Sequence, residues 1–98
     1  MEKTIRGNIQ GWEISFTRNV HMYCHSLSAN KGQNEIAIQC EDLAVEEKTV
    51  GIWLYDLKIS EEIKKELQQI ILLWADSLEE KIKIYTSQDE FIYNKYCA

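Results

Sequence analysis

Two histidines, a tyrosine and a cysteine fall within five positions, His21, Tyr23, Cys24 and His25. They hold most of this chain's capacity for proton transfer, thiol chemistry or metal ligation. A catalytic thiol needs an adjacent base and a lowered pKa, and His21 or His25 beside Cys24 is the nearest candidate pair. Metal binding asks for more. On a helix His21 and His25 form an i, i+4 pair, but the glutamate of HExxH and a third ligand are missing. On a strand the two rings lie about 13 Å apart, too far to share an ion. His21, Tyr23 and His25 would then share one face, without an oxyanion donor or nucleophile to complete an acid–base site. No nucleotide loop, zinc spacing, nucleophile elbow or calcium loop occurs. No catalytic residue, metal ligand or cofactor is therefore assigned, and the chain reads as a binding protein and not an enzyme.

The remaining chemistry is carboxylate. Sixteen acidic residues stand against eleven basic ones, for a net charge of −5. A field of that sign repels nucleic acid and anionic membranes and steers cationic proteins toward the surface. Part of the excess has a local purpose: Glu61 and Glu62 meet the positive end of a helix that Ser60 can cap. Glu41, Asp42, Glu46 and Glu47 have no such duty. With Asp76, Glu79 and Glu80 at the helix exit, and with Trp53 and Tyr55 as aromatic anchors, they form the expected partner-binding set.

Ninety-eight residues, 45% of them hydrophobic, fit a single domain over 1–98 with one core. Three cysteines, Cys24, Cys40 and Cys97, form no close pair and argue against a disulfide framework. The start has no apolar run of signal length, and the longest apolar stretch is far short of the roughly 20 residues that cross a bilayer. The expectation is a soluble cytoplasmic protein.

The elements that must position these residues follow from periodicity. Trp12, Ile14 and Phe16 alternate with polar residues as in a strand, with Gly11 marking a bulge. Residues 20–29 alternate as a strand and also satisfy helical spacing; the poor helix formers and the Asn30-Lys31-Gly32-Gln33 turn favour the strand. Ile36, Ile38 and Cys40 continue the alternation, which slips at Glu41-Asp42 before a polar hairpin loop at Glu46-Glu47-Lys48. Residues 49–59 are apolar on both parities, as in a central strand. Ile63, Leu67, Ile70, Ile71, Trp74 and Leu78 recur at spacings of three and four, predicting a helix over 60–78. Lys81 to Tyr85 alternates as a short strand over 81–86, which a helical crossover would lay parallel to 49–59. Ser87-x-x-Glu90 matches a capping box and predicts a terminal helix over 88–96 packing through Phe91. The expected fold is a two-layer α+β domain: an antiparallel meander of about four strands, the long helix on the sheet, a fifth short strand and a short C-terminal helix.

In format, the chain resembles the small, acidic, single-domain immunity proteins of contact-dependent inhibition and other polymorphic toxin systems. The resemblance lies in size, acid balance and the carboxylate-rich 41–47 region followed by Trp53 and Tyr55. It implies an antitoxin that covers the active site, or an adjacent surface, of a basic toxin domain such as a nuclease. It transfers no functional residues. A phage-type inhibitor of a nucleic-acid-binding enzyme shares this format, and a structural or regulatory homo-oligomeric subunit is the alternative from a different class.

Overall fold

Gln10 and Gly11 both take positive φ, 51° and 90°, between the paired residues Ile9 and Trp12. A two-residue type I′ turn demands this geometry, and it joins β1 (Lys3–Ile9) to β2 (Trp12–His21). The computed structural model describes residues 3–21, 23–43 and 48–96, without the side chains of residues 3 and 19–21. Over these residues the chain continues through β3 (Cys24–Lys31), β4 (Asn34–Asp42), β5 (Thr49–Trp53), α1 (Glu61–Ser77), β6 (Lys81–Tyr85) and β7 (Phe91–Tyr93). All seven strands lie in one sheet in chain order. Pairing is antiparallel from β1 to β5, parallel between β5 and β6 across the helical crossover, and antiparallel again to β7.

Strand alternation sends successive side chains to opposite faces, and the register decides which residues meet. Ile14, Ala29 and Ile36 align across β2, β3 and β4, as do Phe16, Leu27 and Ile38. Cys40, Ile52, Ile84 and Ile92 continue the same face to the far edge. This face is buried with Leu67, Ile70, Ile71, Trp74 and Ala75 of α1 in one core. Trp12 Nε1 donates to Glu66 at 2.6 Å, Phe16 meets Trp74 edge-on, and Arg18 reaches Glu80 at 2.7 Å, so α1 runs along β2 in the same direction.

Both helix ends are chemically finished. Ser60 Oγ accepts the Ile63 N–H at 3.2 Å, and Glu61 and Glu62 occupy the first turn. At the other end the Glu79 N–H donates to Asp76 O and the Glu80 N–H to Ala75 O, with Glu79 at φ 57°. These are the two bonds of a Schellman motif, here with a glutamate where glycine is preferred.

The four-strand meander with a fifth strand and two helices is overturned. A first strand, β1, was missed because its inward positions read Ile5, Gly7, Ile9. A Cβ on Gly7 would lie 3.1 Å from Trp74 Cδ1, so the indole fills the place of the missing side chain. The terminal helix over 88–96 does not form. The capping bond does, with the Glu90 N–H donating to Ser87 Oγ at 2.9 Å, but it closes a turn whose Glu90 carbonyl accepts from Thr86. Phe91 to Tyr93 then pair with Lys83 to Tyr85, and Phe91 faces outward instead of packing in the core. The strand over 49–59 stops at Trp53, where the Leu54 and Tyr55 N–H groups both turn to Tyr85 O.

Candidate functional site

The sequence between β2 and β3 turns back on itself, and this breaks up the expected His-Tyr face. His21 ends β2 opposite Cys24 of β3, so the residues from 21 to 25 do not share one strand. His25 is buried against Phe16, with ring centroids 5.5 Å apart, and its Nε2 lies 2.8 Å from Asp42 Oδ1. A carboxylate can only accept, so Nε2 carries the hydrogen. His25 is thereby a packed partner of Asp42 and not an exposed base. Cys40 is fully buried, and burial pushes its thiol up to about 12, the opposite of what a nucleophile needs. Among the described residues, no group of three or more His, Cys, Asp or Glu side chains could hold a metal ion.

The carboxylates converge elsewhere. The C-terminal ends of β2 and β4, the Leu43 and Lys48 flanks of the β4–β5 connection and the exit of α1 meet at one end of the sheet. They surround an open concavity of about 910 Å³ lined by Arg18, Tyr23, Glu41, Asp42, Leu43, Lys48 and Glu80. Backbone bonds hold its walls: the Asp42 N–H donates to Tyr23 O at 2.9 Å and the Leu43 N–H to Thr49 O at 3.0 Å. Glu80 is engaged by Arg18, whose guanidinium also lies 5.2 Å from the centre of the Phe16 ring. Asp42 is tied to His25 but keeps 41% of its side chain exposed. Glu41 has the loosest attachment, a Cys24 Sγ contact at 3.9 Å, and enters no ion pair among the described residues. Tyr23 stands over the rim with 69% of its surface exposed.

Glu41 also borders a second groove, of about 460 Å³, on the sheet face that α1 does not cover. There it is joined by Gln39, Trp53 and Asp56. Gly51 lies opposite Glu41 in the ladder, and a Cβ on it would come within 2.8 Å of Trp53 Cη2, so the indole leans across the glycine. Trp53 also stacks on Tyr85 of β6, with centroids 5.1 Å apart and planes 7° from parallel.

The expected partner-binding set therefore divides. Glu41, Asp42 and Glu80 share the end concavity, and Glu41 and Trp53 share the groove. Tyr55 has turned away to a small recess beside Lys64, which donates to the Tyr55 carbonyl at 3.2 Å. Asp76 and Glu79 belong to the helix exit and line neither cavity; Asp76 Oδ1 is buried and finds no hydrogen-bond partner among the described residues. Glu46 and Glu47 lie outside the described residues. Sequence reasoning did not place Tyr23 or Asp56 in the expected partner-binding set, although they line these two concavities. The signal for Tyr23 was a large aromatic between two strands, where a turn exposes what it carries. No family model, curated protein or solved structure matches the chain. Among the described residues, no helix is long and apolar enough to cross a membrane.

Proposed function

We propose that the chain is a binding protein that neutralises a basic protein partner, a toxin domain in the manner of small acidic immunity proteins, by seating it around Glu41. The observation that carries this reading is the position of Glu41 between two concavities, with Asp42 and Glu80 on one side and Asp56 on the other. Arg18 and Lys48 only partly offset these four carboxylates, so a cationic surface is drawn in. Tyr23 and Trp53 flank the same residue and supply the amphipathic anchors that concentrate binding energy at interfaces. Screened attraction of this kind speeds encounter and weakens with salt.

The test is co-expression with the polypeptide encoded beside this chain in its genome, followed by titration of the purified pair. Rescue of growth and a complex whose affinity falls with salt are expected. Glu41→Lys should weaken that complex by about tenfold or more and flatten its salt dependence, since a charge at the contact is reversed. Glu41 makes no ion pair among the described residues, so the thermal midpoint should hold. A tight complex indifferent to Glu41→Lys and Tyr23→Ala removes this surface from the reading.

A further inference from the structure

On the uncovered sheet face, the register sets Glu41, Gly51 and Lys83 in one row across β4, β5 and β6. The benzene ring of Trp53 crosses that row over Gly51, where a Cβ would meet Cη2 at 2.8 Å and Cζ3 at 3.1 Å. Its stack on Tyr85 fixes its attitude. The ring centroids are 5.1 Å apart and the planes 7° from parallel, and neighbouring strands lie about 4.8 Å apart, so the two rings stand on edge, one per strand. One indole face is thereby given to β6 and the other is turned toward β4. Beyond Tyr85 lies a lysine–aromatic corner, in which the Lys83 ammonium sits 3.8 Å from the centroid of Phe91 and 5.3 Å from that of Tyr93. On the β4 side lies the groove of about 460 Å³, whose other walls include Gln39 and Glu41 of β4 and Asp56 and Leu57 after β5. A single indole divides a cationic neighbourhood from an anionic one.

We propose that this groove receives the guanidinium of an arginine presented by a partner protein, laid flat on the β4-facing side of Trp53. The proposal rests on the reading of a basic partner and names the side chain that the partner inserts. Three observations choose arginine. Glu41, Asp56 and the Gln39 amide offer acceptor oxygens, and among the described residues no Lys, Arg or His lines the groove. A ligand there must bring donors, and a guanidinium carries five of them with its charge. The wall is an indole face, which attracts a cation and suits a planar one that can stack. Tyr85 already holds that wall in place, so little ordering remains to be done on binding. Glu41 and Asp56 are both exposed and enter no ion pair among the described residues, so neither gives up an internal partner. Other ligands fit less well. A lysine ammonium matches the charge but lacks the plane and the fork. A hexose brings as many acceptors as donors, and a phosphate is repelled by both carboxylates.

The experiment titrates the whole chain with terminally blocked Gly-Arg-Gly and Gly-Lys-Gly peptides and with free L-arginine, followed through amide and indole N–H resonances. The arginine peptide should shift Gln39, Glu41, Asp56 and the Trp53 indole, and bind about fivefold more tightly than the lysine peptide. Asp56→Asn should weaken it by about tenfold, the loss of one charge contact. Trp53→Leu should erase the preference for arginine; Asp56→Asn, at an exposed site, serves alone if that variant unfolds. No shift with about 10 mM arginine peptide overturns the proposal, since even one such contact is expected to bind in the millimolar range. Equal affinity for the two peptides, or shifts confined to Tyr23 and Asp42, also overturns it and leaves a basic partner at the end concavity. Free L-arginine bound more tightly than the peptide overturns it in favour of a small-molecule site. The native complex separates this proposal from the reading beneath it. A salt-sensitive complex indifferent to both Asp56→Asn and Trp53→Leu refutes the groove alone, whereas an arginine peptide seated in the groove with no complex on co-expression supports the guanidinium site and refutes the toxin reading alone.

Discussion

Ile52, Ile84 and Ile92 lie in one row across β5, β6 and β7, and Trp53, Tyr85 and Phe91 lie in the row beside it on the opposite face. In the first row Ile52 and Ile84 are sealed in the core with α1, and Ile92 packs partly buried against it; among the described residues no helix covers the second, and Phe91 remains well exposed. Adjacent residues on the same three strands thus answer to different demands. On the covered face, aliphatic side chains fill space against Leu67, Ile70 and Ile71, where each methylene counts toward folding. On the other, rings pack against one another and a lysine, while Phe91 and Tyr93 each keep 41% of their surface exposed. Burial therefore separates residues that hold the fold from residues held by it.

Replacing neighbours on opposite faces tests that separation most severely. Ile84→Ala should cost about 2–5 kcal/mol in urea denaturation, as for other large-to-small changes at fully buried sites. Tyr85→Ala, half-exposed in the same strand, should cost clearly less. Equal losses would break the comparison, because the ring row would then be core as well. Gly51→Ala sharpens it from the uncovered side: the new Cβ must displace both Leu43 and Trp53, the latter stacked on Tyr85, at a cost of about 1–3 kcal/mol. Near-ultraviolet circular dichroism should report the lost Trp53–Tyr85 stack.

Cys40 carries the comparison into pH. Its thiol, beneath the helix, is raised from an ordinary 9.0 to about 12 by burial. Between those values the unfolded chain releases this proton and the folded chain keeps it, so stability falls as pH rises through that window, by about 1 kcal/mol per unit. Below 9.0 the contribution is constant. Cys40→Ala should remove this alkaline loss from the pH dependence of thermal unfolding, and an unchanged slope would contradict the burial. The smallest effect expected is at the helix exit. Glu79→Gly relieves a left-handed φ of 57° and should stabilise by about 0.5–1 kcal/mol, read as a raised thermal midpoint.

Local rules were legible in the sequence where one element satisfied them alone. The helix over 60–78 is α1 over 61–77 with Ser60 as its cap, and the Gly32 turn joins β3 to β4 as expected. The parallel pairing of β5 and β6 also follows from a strand, a helix and a strand in order. What failed required knowledge of a partner. Gly7 looks like a gap until Trp74 fills it, and Ser87-x-x-Glu90 looks like a helix start until β6 offers Phe91 to Tyr93 a ladder. The grouping of the candidate site residues was hidden for the same reason. Glu41 and Trp53 were both singled out, but their shared groove depends on the β4–β5 register, which brings Gly51 opposite Glu41. The lysine–aromatic corner was hidden because Phe91 and Tyr93 had been assigned to a helix.

That β4–β5 ladder is short. Among the described residues it runs from Cys40 to Asp42, whereas β3 and β4 pair from Cys24 to Lys31. Mechanically it is a seam between a four-strand hairpin array and a strand–helix–strand unit. Glu41 lies on one side of this seam and Trp53 on the other, so a protein gripping both would act as a clamp across it.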